Sequence, residues 1–311
     1  MNNRTTSGDG ENEAGQTRSG FVALIGAPNA GKSTLVNQLV GTKVSIVTHK
    51  VQTTRALVRG IFIEGQAQIV LVDTPGIFRP KRRLDRAMVT TAWGGAKDAD
   101  IILVLLDSQG GLNENAEALL SSMKDVRQKK VLVLNKVDRV DPPVLLDLAR
   151  KANELVTFDQ TFMISALNGS GCKDLAKYLA ENVPNGPWYY PDDQISDMPM
   201  RQLAAEITRE KLYLRLHEEL PYSSTVETER WEERKDGSVR IEQVIYVERE
   251  SQKKIVLGHK GETIKAIGQS ARKEISEILE QTVHLFLFVK VRENWGNDPE
   301  RYREMGLDFP T

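Results

Sequence analysis

Residues 26 to 33 read Gly26-Ala27-Pro28-Asn29-Ala30-Gly31-Lys32-Ser33 and follow directly on the apolar run Phe21-Val22-Ala23-Leu24-Ile25. A Gly-x-x-x-x-Gly-Lys-Ser string between a strand and a helix has a mechanical meaning. Gly26 and Gly31 let the backbone bend so that successive N–H groups face an anion. The helix expected from Ser33 and Thr34 to Val40 turns its positive dipole end toward the same point. There Lys32 would reach the β and γ phosphates of a nucleotide and the Ser33 hydroxyl would hold Mg2+. Taken alone, the string also fits a glycine-rich turn that binds nothing.

Three further segments stand after apolar strands, in the order a guanine nucleotide requires. Gln68 to Val72 ends in Asp73-Thr74-Pro75-Gly76. An aspartate at that strand end can hold Mg2+ through water, and the Gly76 N–H can meet a γ phosphate. By itself the tetrapeptide is an ordinary turn. Val131 to Leu134 ends in Asn135-Lys136-Val137-Asp138. The Asp138 carboxylate can accept from the ring N1–H and the exocyclic amine of guanine, whereas adenine would leave it unpaired. Sites built this way reject the wrong base by about 10⁴-fold or more. Lys136 would pack its stem across the base, and Asn135 would tie this loop to the phosphate loop. Finally, Ser165-Ala166-Leu167 follows the strand Thr161 to Ile164 and can offer a backbone N–H to the guanine O6. Together the four segments describe one crevice at the carboxyl ends of parallel strands, occupied by GTP.

Strands and helices alternate from Gly20 to about Asn182, with helices expected at Lys32 to Val40, Leu112 to Arg127, Pro143 to Val156 and Gly171 to Ala180. This is an α/β pattern: a doubly wound, mostly parallel sheet. Two segments interrupt it near the phosphates. Thr42 to Arg55 is polar and precedes a strand from Ala56 to Ile63; Ile77 to Arg86 is basic. Both stand where switch loops respond to a γ phosphate. In the first, Thr53 and Thr54 are candidates for a second Mg2+-bound hydroxyl.

Residues 184–200 hold four prolines together with Trp188-Tyr189-Tyr190. They read as an interdomain linker that packs against its neighbours. A smaller α+β unit is expected over 201–295: a helix from Arg201 to Glu219, a strand from Ser224 to Glu232 and a Lys235-Asp236-Gly237 hairpin turn. An alternating strand from Val239 to Glu248 and a short apolar turn at Lys254 to Leu257 follow. Then come Gly258-His259-Lys260-Gly261, a helix through Ile264, Ile267, Ala271, Ile275 and Ile278, and a strand from Val283 to Val291. A Gly-x-x-Gly between helices lets a nucleic-acid backbone approach, and Lys253, Lys260 and Lys265 lie near it. Between Lys253 and Lys273 there are six Lys or Arg and one acidic residue, a local positive field in a chain of net charge −1.

The length of 311 residues fits two domains. The single cysteine, Cys172, excludes an internal disulfide and reads as a bystander thiol in a reducing cytosol. No apolar run is long enough to span a bilayer. Residues 1–19, polar and without an apolar core, read as a disordered tail rather than a signal, and 296–311 as a C-terminal tail.

These motifs together resemble those of the bacterial Era family of GTPases, with a second domain similar to RNA-binding KH domains of the second topological type. The match runs from Gly20 to about Trp295 over residues 20–183, 184–200 and 201–295. It includes Gln52-Thr53-Thr54-Arg55, Pro187-Trp188-Tyr189-Tyr190-Pro191 and Leu220-Pro221-Tyr222-Ser223. The resemblance implies binding of the 3′ end of 16S rRNA, a role in maturation of the 30S subunit, and cytoplasmic location with loose association with the inner membrane surface. It also implies that Asn29 ligates K+, which replaces an arginine as the added positive charge. Ile77 stands where Ras-like GTPases carry a water-orienting glutamine, so intrinsic turnover should be slow, roughly 10⁻² per second or below. The favoured reading is a Mg2+-dependent, GTP/GDP-controlled RNA-binding switch. Its rivals are a GTPase whose second domain grips a protein or lipid surface, and an RNA-modifying enzyme, for which no cysteine pair or metal cluster is present.

Overall fold

The structure, a computed structural model, describes residues 17–310 apart from residues 52, 79, 81, 218 and 219. In the first unit, β1 (Arg18–Gly26), β3 (Ala67–Asp73), β4 (Ile101–Asp107), β5 (Lys129–Asn135) and β6 (Gln160–Met163) run parallel, and β2 (Val58–Glu64) pairs antiparallel with β3. The order is β2-β3-β1-β4-β5-β6. Side chains of β1 and β4 such as Val22, Leu24, Leu103 and Leu105 bury one way, against α1 (Lys32–Val40) and α5 (Cys172–Asn182). Their neighbours Ala23, Ile25, Ile102 and Val104 bury the other way. There they meet α2 (Arg83–Lys97), α3 (Glu114–Ser122) and α4 (Pro142–Leu155). Strands covered on both faces are continuously apolar, as these are. The order reverses at β1, so the loop after β1 opens into the crevice where such sheets take ligands.

The helix expected over 112–127 is shorter. Asn113 caps it, accepting from the Ala116 N–H at 3.1 Å, and Gly111 at φ 58° holds the chain out of helix before it. α2 starts at Arg83, inside the basic segment expected as loop from 77 to 86.

Residues 184–199 run along the sheet edge. Tyr189 and Tyr190 N–H groups donate to Gln68 Oε1 at 2.9 and 3.0 Å, and the Ile61 N–H donates to the Ile195 carbonyl at 2.8 Å. The second unit begins with α6 (Met200–Arg215). A three-stranded sheet follows, with β7 (Ser224–Glu233) antiparallel and β9 (Val283–Val291) parallel to the central β8 (Val239–Val247). Gly237, at φ 77°, closes the β7–β8 hairpin. The apolar turn expected at 254–257 is the last turn of a helix, α7 (Glu250–Leu257), which leads through a short turn into α8 (Glu262–Leu279).

The last residues of the expected N-terminal tail and the expected C-terminal tail are ordered into the fold. β1 begins at Arg18, and the Ser19 N–H donates to the Pro184 carbonyl at 3.0 Å; residues 1–16 lie outside the described residues. After β9 the chain forms α9 (Pro299–Glu304) and returns to the first unit, burying Trp295, Tyr302 and Leu307 against Leu84, Ala87 and Met88 of α2.

Candidate nucleotide and RNA sites

The phosphate loop leaves β1 at Gly26, where a Cβ would stand 2.8 Å from the Leu105 carbonyl oxygen. Asn29 and Gly31 take positive φ, 64° and 96°. A Cβ on Gly31 would lie 2.1 Å from Asn135 Nδ2, so only glycine fits. Lys32 is buried, and its Nζ donates to the carbonyls of Gly26 and Ala27, both at 3.1 Å. Burial pushes its pKa down to about 8, against the attraction of Asp73. The lysine is therefore folded back across the loop, held by carbonyls that a phosphate would replace.

Asp73 ends β3 fully buried. Its Oδ2 accepts from the Ser45 hydroxyl at 2.7 Å, while Oδ1 has no hydrogen-bond partner. Burial raises its pKa, opposed by the Ser33, Ser45 and Thr54 hydroxyls and by Lys32. Ser33 Oγ and Thr54 Oγ1 lie 2.9 Å apart. A buried carboxylate oxygen without a partner, beside two hydroxyls, is a donor set suited to a hard cation such as Mg2+. Of the two candidate threonines, only Thr54 joins it; Thr53 donates to the Lys50 carbonyl at 2.7 Å. Thr74 fixes the turn by donating to the Leu24 carbonyl at 2.6 Å, and Pro75 leads into Gly76. A Cβ on Gly76 would stand 2.8 Å from the Pro28 nitrogen, so this turn packs directly on the phosphate loop. Ile77 donates its N–H to the Gly26 carbonyl at 3.0 Å and packs its side chain against the apolar cluster beneath.

The segments at 135–138 and 165–167 meet the phosphate loop through Asn135. Asn135 Nδ2 donates to the Ala30 carbonyl at 2.8 Å, and its Oδ1 accepts from the Ala166 N–H at 2.9 Å. One buried side chain thus joins three of the four segments. Val137 donates its N–H to the Ile164 carbonyl at 3.2 Å. Asp138 is held below the ordinary carboxylate range, first by the influence of the Ser165 hydroxyl. Leu167 is exposed beside it. Lys136 takes φ 66° and donates to Asp107 Oδ2 at 2.6 Å. Asp107 escaped the sequence reading; its signal was its place at the carboxyl end of β4. Asn29 Nδ2 donates to the His49 carbonyl at 2.8 Å, which ties the phosphate loop to the first switch segment. A cleft of about 510 Å³ is lined by Asn29, Lys32, Ser33, Thr34, Thr54, Gly76, Asp107, Lys136 and Arg139.

In the second unit, Gly258 and Gly261 have φ of 74° and 82°, and the exposed Lys260 between them has φ 49°. A Cβ on Gly258 would meet Thr263 Oγ1 at 2.1 Å. His259 is exposed in the same turn. Beyond it, a groove of about 630 Å³ lies between α8 and β9, with Lys265 and Arg272 on its rim and Phe286 and Leu287 in its lining. Gly268 borders it, close enough to Leu287 that a Cβ would stand 3.3 Å from that side chain. Lys253 sits half-buried on α7, outside the groove lining. Gly268, Arg272 and Phe286 were not foreseen as site residues, since only the helix–strand packing brings them together.

Among known proteins, a family profile described as a 50S ribosome-binding GTPase matches residues 21–136, and a KH-domain profile matches residues 219–296. The GTPase Era of Brucella suis is 93% identical over 311 residues, all of both chains. That of Mesorhizobium japonicum is 76% identical over 96% of each chain. Among solved structures, an Aquifex aeolicus Era variant bound to GDP·AlF4− is 37% identical, with TM-score 0.89 over 93% of this chain and 99% of that one. An Era in complex with MgGDPNP and nucleotides 1506–1542 of 16S ribosomal RNA is 38% identical, with TM-score 0.88 over the same shares. With the phosphate loop, the three segments that converge on it and the KH-type second unit all in place, the chain belongs to the Era family of GTPases.

Proposed function

We propose that this GTPase binds the 3′ end of 16S rRNA through the Gly258–Gly261 turn and the α8–β9 groove. Its nucleotide state times association with the maturing 30S subunit. The observation that carries this reading is the groove itself: apolar lining for bases, cations on the rim, and a glycine turn that admits a phosphate. The related Era solved with MgGDPNP and 16S ribosomal RNA supports the same assignment.

At the nucleotide site, the N–H groups of residues 26–34 and Lys32 would receive the phosphates, and Asp138, Lys136 and the 165–167 loop the guanine. Ser33, Thr54 and Asp73 would hold Mg2+, which when bound offsets charge on the β and γ phosphates. Gly76 would report the γ phosphate to the 77–82 segment. Ile77 offers no hydrogen bond to water, so turnover is slow unless positive charge is added. Asn29, already bonded to the first switch segment, would ligate K+ for that purpose. The protein acts in the cytoplasm, with loose association with the inner membrane surface; the family resemblance alone supports the membrane part. Among the described residues no helix is long and apolar enough to cross a membrane.

The test is binding of a 16S rRNA 3′-end oligonucleotide to the full chain and to Lys260→Glu. Loss of binding in the variant is expected. Equal binding would move the function toward a protein or lipid partner.

A further inference from the structure

The first switch segment is fastened to the second domain along much of its described length. Lys43 Nζ donates to Glu210 at 2.8 and 2.7 Å and also pairs with Glu274. The Val47 N–H donates to Glu210 Oε1 at 2.9 Å, and Lys50 Nζ donates to the Leu216 carbonyl. The strongest holds bracket Thr54. On one side, Arg209 Nη2 donates to the Thr53 carbonyl at 2.6 Å. On the other, Arg55 inserts its whole side chain into the second domain and is 3% exposed. Its Nη1 donates to the Ser224 carbonyl at 2.9 Å, and its Nη2 to the Tyr213 hydroxyl at 2.6 Å and the Pro221 carbonyl at 3.3 Å. Its guanidinium carbon lies 5.7 Å from the Tyr213 ring centre and 5.5 Å from that of Trp295. Trp295 is itself held by donation from Nε1 to the Ser223 carbonyl at 2.9 Å, and it packs on α2, which follows the second switch segment.

Among the described residues, none of the hydrogen bonds made by Arg55 goes to a carboxylate. A buried cation bonded through Nη1 and Nη2 to carbonyls and a hydroxyl, with its Nε left without a partner among those residues, is a costly way to build a mere domain contact. It gives a rigid, directional hold on the residue before it, and that residue supplies the hydroxyl beside Ser33 and Asp73.

We propose that Arg55 is a positioning residue for the Mg2+ site: docked into the Tyr213–Trp295 receptacle, it holds the Thr54 hydroxyl where Mg2+·GTP needs it. The second domain is thus part of the scaffold of the GTP site, and Thr54 leaves that site when the domain undocks. This rests on the GTPase reading above and adds the residue that carries the coupling.

The test titrates Mg2+ against binding of a fluorescent, non-hydrolysable GTP analogue to the full chain, with GDP affinity measured in parallel. Arg55→Ala should raise the Mg2+ midpoint about tenfold or more, the scale of one charge-assisted hydrogen bond. GDP affinity should stay within about twofold, since phosphate-loop and base contacts persist. Arg55→Lys, which keeps charge without the fork, should fall between wild type and Arg55→Ala. Tyr213→Phe, which removes a single hydroxyl on the far side of the interface, should shift the midpoint in the same direction. A Mg2+-dependent wild type with unshifted midpoints in Arg55→Ala and Tyr213→Phe would overturn the proposal alone. A wild type that binds the analogue without any Mg2+ dependence would overturn the GTPase-switch reading and the proposal with it. Should Arg55→Ala lose GDP binding as well, the Tyr213→Phe midpoint decides between the same two results.

Discussion

In the nucleotide cleft Lys32, Asp73 and Asn135 are buried and Asp138, on the base side, is exposed, whereas the cations of the α8–β9 groove all stand in solvent. Asn135 and Asp73 are almost wholly excluded from water, and Lys32 is folded onto loop carbonyls. Lys260, Lys265 and Arg272 are exposed. Buried groups left without a partner cost the full desolvation penalty, so the side of the cleft formed by Lys32, Asp73 and Asn135 selects sharply. Exposed cations gain from many phosphates at once and select little, leaving discrimination to the groove's apolar lining. One chain therefore reads a single small ligand by exclusion and a polymer by attraction.

The largest effect that would sharpen this contrast is at the base. Asp138→Asn should weaken GTP binding by about 10²-fold or more, on the scale of two hydrogen bonds to a charged group. It should shift preference toward xanthosine triphosphate. Unchanged GTP affinity would show the base pocket to be misassigned.

The second effect lies in the groove. Lys260→Glu and Lys265→Glu should each lower RNA affinity by roughly tenfold at moderate salt and flatten its salt dependence by about one phosphate contact. A loss that ignored salt would break the comparison, because it would place a buried-type contact in an exposed site. Gly258→Asp should abolish the turn by geometry alone, since a Cβ there meets Thr263.

A smaller change concerns turnover. GTP hydrolysis should run several-fold faster in KCl than in NaCl, and Asn29→Ala should erase the difference, leaving the small residual rate typical of an unassisted site. Equal rates in the two salts would remove Asn29 from the mechanism.

The smallest is a proton. Lys32 falls from its ordinary 10.5 to about 8 in the free protein, so it loses charge as pH rises through that value. A phosphate favours the charged form, so nucleotide binding above pH 8 takes up a proton, and near pH 7 it takes up almost none. By the same sign, the free fold gains stability relative to the unfolded chain between about pH 8 and 10.5, where the unfolded lysine holds more protons. Calorimetry at pH 8.5 in two buffers of different ionisation heat reads the uptake directly; identical heats would contradict it.

Much of the cleft was legible because its residues are contiguous and each segment follows an apolar strand. Asn135 could be tied to the phosphate loop in advance because the two loops must share one crevice. The Asp107–Lys136 bond was not legible, since any aspartate at a strand end looks alike until β4 is set beside β5. The KH-type element order is readable from alternation and glycine spacing, but only the end of α7 shows in the sequence, because Glu250 to Lys253 carry no apolar stripe. The C-terminal segment was read as a tail for a physical reason. Trp295, Tyr302 and Leu307 show no period, and they are buried only because α2 of the other domain offers Leu84 and Met88. The anchoring of Arg55 has the same origin: a switch residue and its receptacle lie about 160 residues apart, and no local pattern joins them.

Coupling between the two sites shows most directly in how firmly the chain holds RNA in its two nucleotide states. Affinity for a 16S rRNA 3′-end oligonucleotide should be at least about fivefold tighter with Mg2+ and a GTP analogue than with GDP, the lower bound of ordinary coupling between sites. Indistinguishable affinities in the two states would contradict it.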